Sequence, residues 1–250
     1  RDAYPGVEFV GHAAMRPYLT TTGVENRKAM VSGVAGFIEF LKGTLEKNES
    51  PAGGPLDAEE RTTFSNDLRM AQRYAAEAPG FVNVLPTVTV EDRLTLYRGD
   101  RTIEIRAIGR GHTAADLVVH LPKEGIVAAG DLVVWPVPLV GSNQSHVGEW
   151  SAALDALVAL RPVMVVPGHG PVLRDHEYAK LLSRLFASID EQTRAAVARG
   201  ESLEAAQKSV KLDEFRARMA GDSRVRRILF SSYAARPGVE ASYAAAAEKK

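Results

Sequence analysis

The chain has 250 residues, enough for one domain with a substantial buried core or for two small ones. Its 31 basic residues balance 31 acidic ones, so no bulk charge favours nucleic acid or an anionic membrane as a partner. The absence of cysteine excludes disulfides and thiolate ligands and leaves histidine and carboxylates for any metal. No run of about twenty apolar residues is present, so the sequence contains no membrane span.

The first third of the chain predicts a short strand followed by two helices. Residues 7–10 have the composition of a brief buried strand. Apolar side chains then recur at helical spacing over residues 27–47. Asp57, with Glu60 three residues later, resembles a capping box and marks the start of the second helix. We expect a helical insertion at about residues 24–80. It could form a lid or a dimer contact, and the alternative is a pair of helices that simply covers the sheet.

The middle of the chain has the period of β-strands. Apolar and polar side chains alternate as they do in half-buried strands, and continuous apolar runs follow. Gly99 and Asp100 form the kind of turn expected in a hairpin. The predicted strands are residues 87–90, 94–97, 102–106, 117–121 and 126–129.

The last hundred residues are predicted to be mainly helical. A short amphipathic helix over residues 149–160 precedes a buried strand at 163–166. Asp175 is expected to cap the next helix and to open a helical C-terminal extension at about residues 175–250. Residues 239–250 are rich in alanine, and we expect this final stretch to fray.

Three side chains that can bind a metal occur next to glycines near the ends of predicted strands. They are His112 in G-H-T-A-A-D, Asp131 in A-A-G-D and His169 in P-G-H-G-P. Imidazole and carboxylate groups suit a zinc-like ion. Each residue alone is more simply interpreted as a loop or turn residue. The ordered set of three is what favours a metal site.

The ordered motifs resemble the second half of the metallo-β-lactamase-fold hydrolases, over about residues 82–176. The resemblance implies an α/β fold, a four-layer αβ/βα sandwich. In that family the first His binds one metal, the Asp bridges both metals and the second His binds the other. Carried over, the metal ligands are His112, Asp131 and His169, with Asp131 also the catalytic residue. The implied cofactor is a pair of zinc ions or other divalent metals.

The resemblance implies a metal-dependent hydrolase for a small-molecule substrate. Two ions would share a hydroxide and polarise a scissile carbonyl or phosphoryl group. The β-lactam, thioester, lactone and phosphoester classes stay open, as does a homodimer. The alternative is a non-catalytic protein-interaction domain on the same scaffold.

The family's primary signature, H-x-H-x-D-H, is absent from the 250 residues. That signature would lie N-terminal to the motifs described above. We therefore expect residues 1–250 to be a single domain truncated at its N-terminus and lacking its first strands. Such a chain alone would be weakly active or inactive, because catalytic zinc sites usually have three protein ligands and a water.

Two further residues near these motifs are candidates for supporting roles. Asp116 follows His112 by four residues and is placed to accept hydrogen bonds from a ligand or from loop amides. Its alternative is an ordinary carboxylate at a strand start. His146 could face a substrate, although an exposed loop histidine is the simpler interpretation. The remaining histidines are interpreted as structural, surface or supporting residues: His12, His120 and His176.

Overall fold

The computed structural model describes residues 3–141 and 144–248, which form two β-sheets surrounded by helices. The smaller sheet pairs β1 (Val10–His12) in parallel with β2 (Val88–Val90). The larger sheet has five strands, and their order in space follows their order in the chain. These strands are β3 (Arg93–Arg98), β4 (Arg101–Arg106), β5 (Val118–Leu121), β6 (Ile126–Val134) and β7 (Met164–His169).

Strands β3 to β6 are antiparallel neighbours, whereas β7 runs parallel to β6. The β3–β4 hairpin turns at Gly99, whose φ of 63° lies in the left-handed region, as the sequence predicted. A parallel pair needs a longer crossover. Helix α4 (Val147–Ala159) lies in the segment that joins β6 to β7, and it contacts β6.

Helices make up most of the rest of the described chain, and none is long and apolar enough to cross a membrane. A 3-10 turn (Ala78–Gly80) follows the third helix, and a π-helical turn (Phe230–Ala235) precedes the last. Besides α4, the helices are α1 (Met15–Thr20), α2 (Thr22–Lys47), α3 (Ala58–Glu77), α5 (Glu177–Ala198), α6 (Leu203–Ser209), α7 (Asp213–Ala220), α8 (Arg224–Leu229) and α9 (Arg236–Ala247).

The main hydrophobic core lies between the larger sheet and helices α4, α5 and α9. Trp150 of α4 is fully buried and stacks on Phe186 of α5, with ring centroids 4.1 Å apart. The Trp150 indole N–H donates to the carbonyl of Leu132 at 3.1 Å, so this polar atom is satisfied inside the core. This contact ties β6 to both helices. The predicted α/β class is confirmed.

Several local predictions hold and others shift. The capping box is confirmed: the Glu60 amide donates to Asp57 Oδ1 at 2.8 Å, and the Asp57 amide donates to Glu60 Oε2 at 3.0 Å. The first strand begins at Val10 rather than at residue 7, because Val7 is exposed and has no partner in the ladder. His176, not Asp175, occupies the N-cap of α5. Asp175 instead accepts the Glu177 amide in a local turn at 3.0 Å.

Two predictions are wrong: where strand β6 ends, and that the C-terminal segment frays. Strand β6 does not stop at residue 129 but continues to Val134, since Leu132 and Val133 are buried in the core. The alanine-rich C-terminus does not fray within the described residues: α9 is helical to Ala247 and packs on α5. The Ser242 hydroxyl donates to Asp190 Oδ1 at 2.7 Å and anchors that contact.

Candidate metal centre

The backbone brings Asp131 and His169 together through an irregular stretch of the β6–β7 pair. Gly130 pairs with Pro167, and the next paired residues are Val134 and His169. Strand β6 therefore advances four residues while β7 advances two. Extra residues in one strand form a bulge, which re-aims a side chain. Here the bulge contains Asp131, and β7 ends on His169.

The Asp131 carboxylate lies between two imidazoles. Its Oδ1 atom is 3.6 Å from His169 Nε2, and its Oδ2 atom is 4.0 Å from His112 Nδ1. Both separations are too long for hydrogen bonds. Two ligands of one tetrahedral zinc, each about 2.0–2.1 Å from the ion, lie about 3.3 Å apart. The observed separations are close to that value, and each carboxylate oxygen faces a different histidine.

The donor chemistry of these side chains fits a divalent cation. None of the side chains of His112, Asp131 and His169 makes a hydrogen bond with a described residue. A Cβ atom on Gly168 would lie 2.0 Å from Asp131 Oδ1, so the carboxylate occupies space that only glycine leaves free. Within residues 3–141 and 144–248, however, no group of three or more candidate ligands is arranged to hold an ion. The side chains form two pairs, His112 with Asp131 and His169 with Asp131, and the three do not converge on one point.

Asp116 holds the loop that carries His112. Its Oδ2 atom accepts the amides of Gly111 at 3.0 Å and Thr113 at 3.1 Å, and its Oδ1 atom accepts the Thr113 hydroxyl at 2.7 Å. Burial raises the pKa of Asp116, while the bonds from Thr113 and the nearby His112 act in the opposite direction. The predicted bonding to loop amides is confirmed. The loop is thereby fixed on both sides of His112.

The His112 loop also contacts residues that were not predicted from the sequence to belong to the site. The His112 ring meets the edge of the Trp150 ring, with centroids 5.9 Å apart. The Ser145 hydroxyl donates to the His112 carbonyl at 2.8 Å. A Cβ atom on Gly111 would lie 2.6 Å from Leu132 Cδ2, so the chain approaches the core closely here. The amphipathic pattern of α4 predicted that Trp150 is buried but gave no signal for its contact with His112.

The other histidines make separate contacts. His146 is at the N-cap of α4 and lines a cavity of about 230 Å³ with Tyr18 and Thr113. Burial lowers the pKa of His146, and the nearby Arg110 lowers it further. The remaining three make hydrogen bonds outside the candidate centre. His12 Nδ1 accepts the Ala14 amide, the buried His120 bonds to Glu104, and the His176 ring donates to the Pro162 carbonyl.

Comparisons with known proteins agree with the position of these motifs. Residues 31–169 match the family model of the metallo-β-lactamase superfamily. A type 2 metallo-β-lactamase from Bacillus sp. (strain 170) is 34% identical over 107 residues, or 41% of this chain. The alignment covers 39% of that enzyme, so the chain spans about two fifths of the relative's length.

One solved structure supports the fold, and a second matches over part of the chain. A stereoselective inverting sec-alkylsulfatase from Pseudomonas sp. has a TM-score of 0.50 at 15% identity, covering 64% of this chain and 26% of that one. At this identity the likeness concerns the fold alone. A metallo-β-lactamase from Pontibacter korlensis is 26% identical over 45% of this chain and 54% of its own, with a TM-score of 0.36.

Proposed function

The chain belongs to the metallo-β-lactamase superfamily, and we propose that it acts in a binuclear, zinc-dependent hydrolase. In this proposal His112 and His169 bind different ions, and Asp131 binds both. The observation that carries it is the orientation of Asp131, whose two oxygens face two different imidazoles at 3.6 and 4.0 Å. That arrangement also accounts for the lack of a closed three-ligand group among the described residues, because one ion would not contact all three side chains.

The chain's own residues hold and orient the donors. Asp131 places a negative charge between two imidazoles, where it would offset the charge of bound cations. Asp116 fixes the loop of His112 through three hydrogen-bond donors, so that the imidazole keeps its direction. When bound, the divalent ions would supply Lewis acidity and lower the pKa of a coordinated water to about 7.

The exposure of the two histidines suggests where a substrate approaches. The His169 side chain is 66% exposed, whereas that of His112 is 20% exposed and lies against Trp150. A substrate would therefore reach the centre from the His169 side. The proposed class is a small molecule with a carbonyl or phosphoryl ester-type bond. The relative named as a metallo-β-lactamase adds a β-lactam to the compounds worth testing.

Zinc binding tests the proposal more directly than turnover, since three ligands are fewer than a two-metal site needs. Zinc content and affinity would be measured by elemental analysis and calorimetry for Asp131→Ala, His112→Ala and His169→Ala. We expect Asp131→Ala to lose most zinc, because it removes a ligand from each ion. The matched control is His176→Ala, which removes an imidazole outside the centre.

Hydrolysis of a β-lactam, a lactone, a thioester and a phosphodiester would be assayed on the same samples. If Asp131→Ala binds zinc as the unaltered chain does, Asp131 is not a shared ligand and the proposal is wrong. Lack of turnover alone would not decide the question, because residues 1–250 lack the H-x-H-x-D-H signature. A chain that binds no zinc would favour the alternative, a non-catalytic interaction domain.

A further inference from the structure

A largely apolar groove runs between helices α2 and α3, and Tyr233 of the π-helical turn also lines it. Its volume is about 510 Å³, within the range of about 300–1,000 Å³ that small-molecule sites occupy. Aromatic and methionine side chains dominate its walls, which also contain one carboxylate. The lining residues include Met30, Phe37, Asp67, Met70, Tyr74 and Tyr233.

Asp67 is the one charged side chain among the described residues that line this groove. It makes no hydrogen bond or ion pair with any described residue. Burial raises the pKa of Asp67. Tyr233 lines the same groove. Burial also raises the pKa of Tyr233, and the charge of Asp67 raises it further. The groove therefore holds a carboxylate that forms no ion pair with a cation of the described residues.

The chemistry of the walls selects among ligand classes. An anion would meet the charge of Asp67 with no cation to offset it. A neutral apolar ligand would displace water from the Asp67 carboxylate without replacing its hydrogen bonds, and this desolvation costs free energy. A cation would pair with Asp67 and contact the faces of Tyr74 and Tyr233, which attract positive charge. Methionine side chains adapt to apolar bodies of varied shape.

We propose that this groove binds an apolar organic cation, an amine or quaternary ammonium group on an aliphatic or aromatic body. The cation lies beside Asp67 and Tyr233, and the apolar body contacts Met30, Phe37 and Met70. A second copy of the chain is the less suitable occupant. A symmetric contact would bring the same surface against itself, and that surface offers Asp67 no cation within the groove.

Methionine methyl groups give a direct test in the intact chain, which has five methionines. The chain would be labelled with ¹³C at the methionine methyls and titrated with octyltrimethylammonium, octyl sulfonate and octyl glucoside, each below its micelle concentration. We expect saturable shifts at Met30 and Met70 with the ammonium compound. Signals of Met164 and Met219 should stay in place, because these residues lie in β7 and α7.

The Asp67→Asn variant separates charge from shape. It should weaken binding of the ammonium compound by about fivefold or more, a change of about 1 kcal/mol, and leave octyl glucoside binding within about twofold. Asp100→Asn is the matched control, because it removes the same net charge from an 89% exposed side chain at the β3–β4 turn. Its affinity for the ammonium compound should equal that of the unaltered chain.

Three results would overturn the proposal. The first is equal affinity for octyl sulfonate and the ammonium compound, and the second is an unchanged affinity in Asp67→Asn. The third is a dimer in analytical ultracentrifugation that Met70→Glu dissociates, which would make the groove a self-association surface. None of these measurements depends on zinc, so their failure is independent of the hydrolase proposal.

Discussion

Replacing Gly168 by alanine tests how closely strands β6 and β7 approach at the candidate metal centre. An added Cβ atom would lie 2.0 Å from Asp131 Oδ1, 2.8 Å from the carbonyl carbon of Gly130 and 3.0 Å from the Asp131 amide nitrogen. Rotation of the Asp131 side chain would relieve the first contact. The other two involve backbone atoms, so β6 and β7 have to separate locally.

The expected cost follows from the overpacking of a tight contact. Inserting one methyl group into a packed site costs about 1–3 kcal/mol, and we take about 2 kcal/mol because backbone atoms are involved. For a chain of this size, 1 kcal/mol lowers the melting temperature by about 2–4 °C. Gly168→Ala should therefore melt about 4–8 °C below the unaltered chain. Its zinc affinity should fall by about tenfold, since Asp131 is displaced.

Thermal melts by circular dichroism and zinc calorimetry check both results. Gly36→Ala serves as the matched control, because an added Cβ there meets nothing within 4 Å and the residue lies inside α2. That variant should be stabilised by about 0.5–1 kcal/mol, the usual gain over glycine in a helix. If Gly168→Ala melts within a degree of the unaltered chain, the close approach described here is wrong.

Three further measurements test other parts of the fold. Trp150→Phe should lose about 2 kcal/mol in urea unfolding, because it leaves the Leu132 carbonyl without its donor; a loss under 0.5 kcal/mol would contradict this. Ser242→Ala should lose about 1 kcal/mol by removing the bond to Asp190, and an unchanged midpoint would mean that α9 does not depend on that contact. Burial raises the pKa of Asp67 above its ordinary value of 3.8, so its protonated form stabilises the native state below that pH. This stability is lost as pH rises from 3.8 through the folded-state pKa, and over that range Asp67→Asn should gain melting temperature relative to the unaltered chain; a difference independent of pH would refute it.

The features that the sequence predicted correctly depend on neighbouring residues. The capping box of Asp57 and Glu60 needs only a spacing of three, and the β3–β4 hairpin needs only Gly99 between two alternating segments. The C-terminal helix α9 is different. Its alanine-rich composition gives a weak apolar face, and its stability comes from Asp190 and the rest of α5, some fifty residues earlier in the chain. Contacts at that distance leave no local pattern.

The candidate metal centre depends both on local motifs and on contacts that are distant in the sequence. The motifs around His112, Asp131 and His169 identified these three side chains from the sequence. The predicted strand, however, ended just before Asp131. In the structure β6 continues because its following residues are buried in the core, so the added length appears as a bulge at Asp131.

The residues beside Asp131 and His169 account for the position of that bulge. Pro167 has no N–H to donate to the ladder, which weakens regular pairing opposite Gly130. Gly130 has a φ of 54°, a conformation that glycine adopts without strain. Gly168 leaves the space that the Asp131 carboxylate fills. The glycines and the proline of A-A-G-D and P-G-H-G-P are thus as necessary to the geometry of the centre as Asp131 and His169.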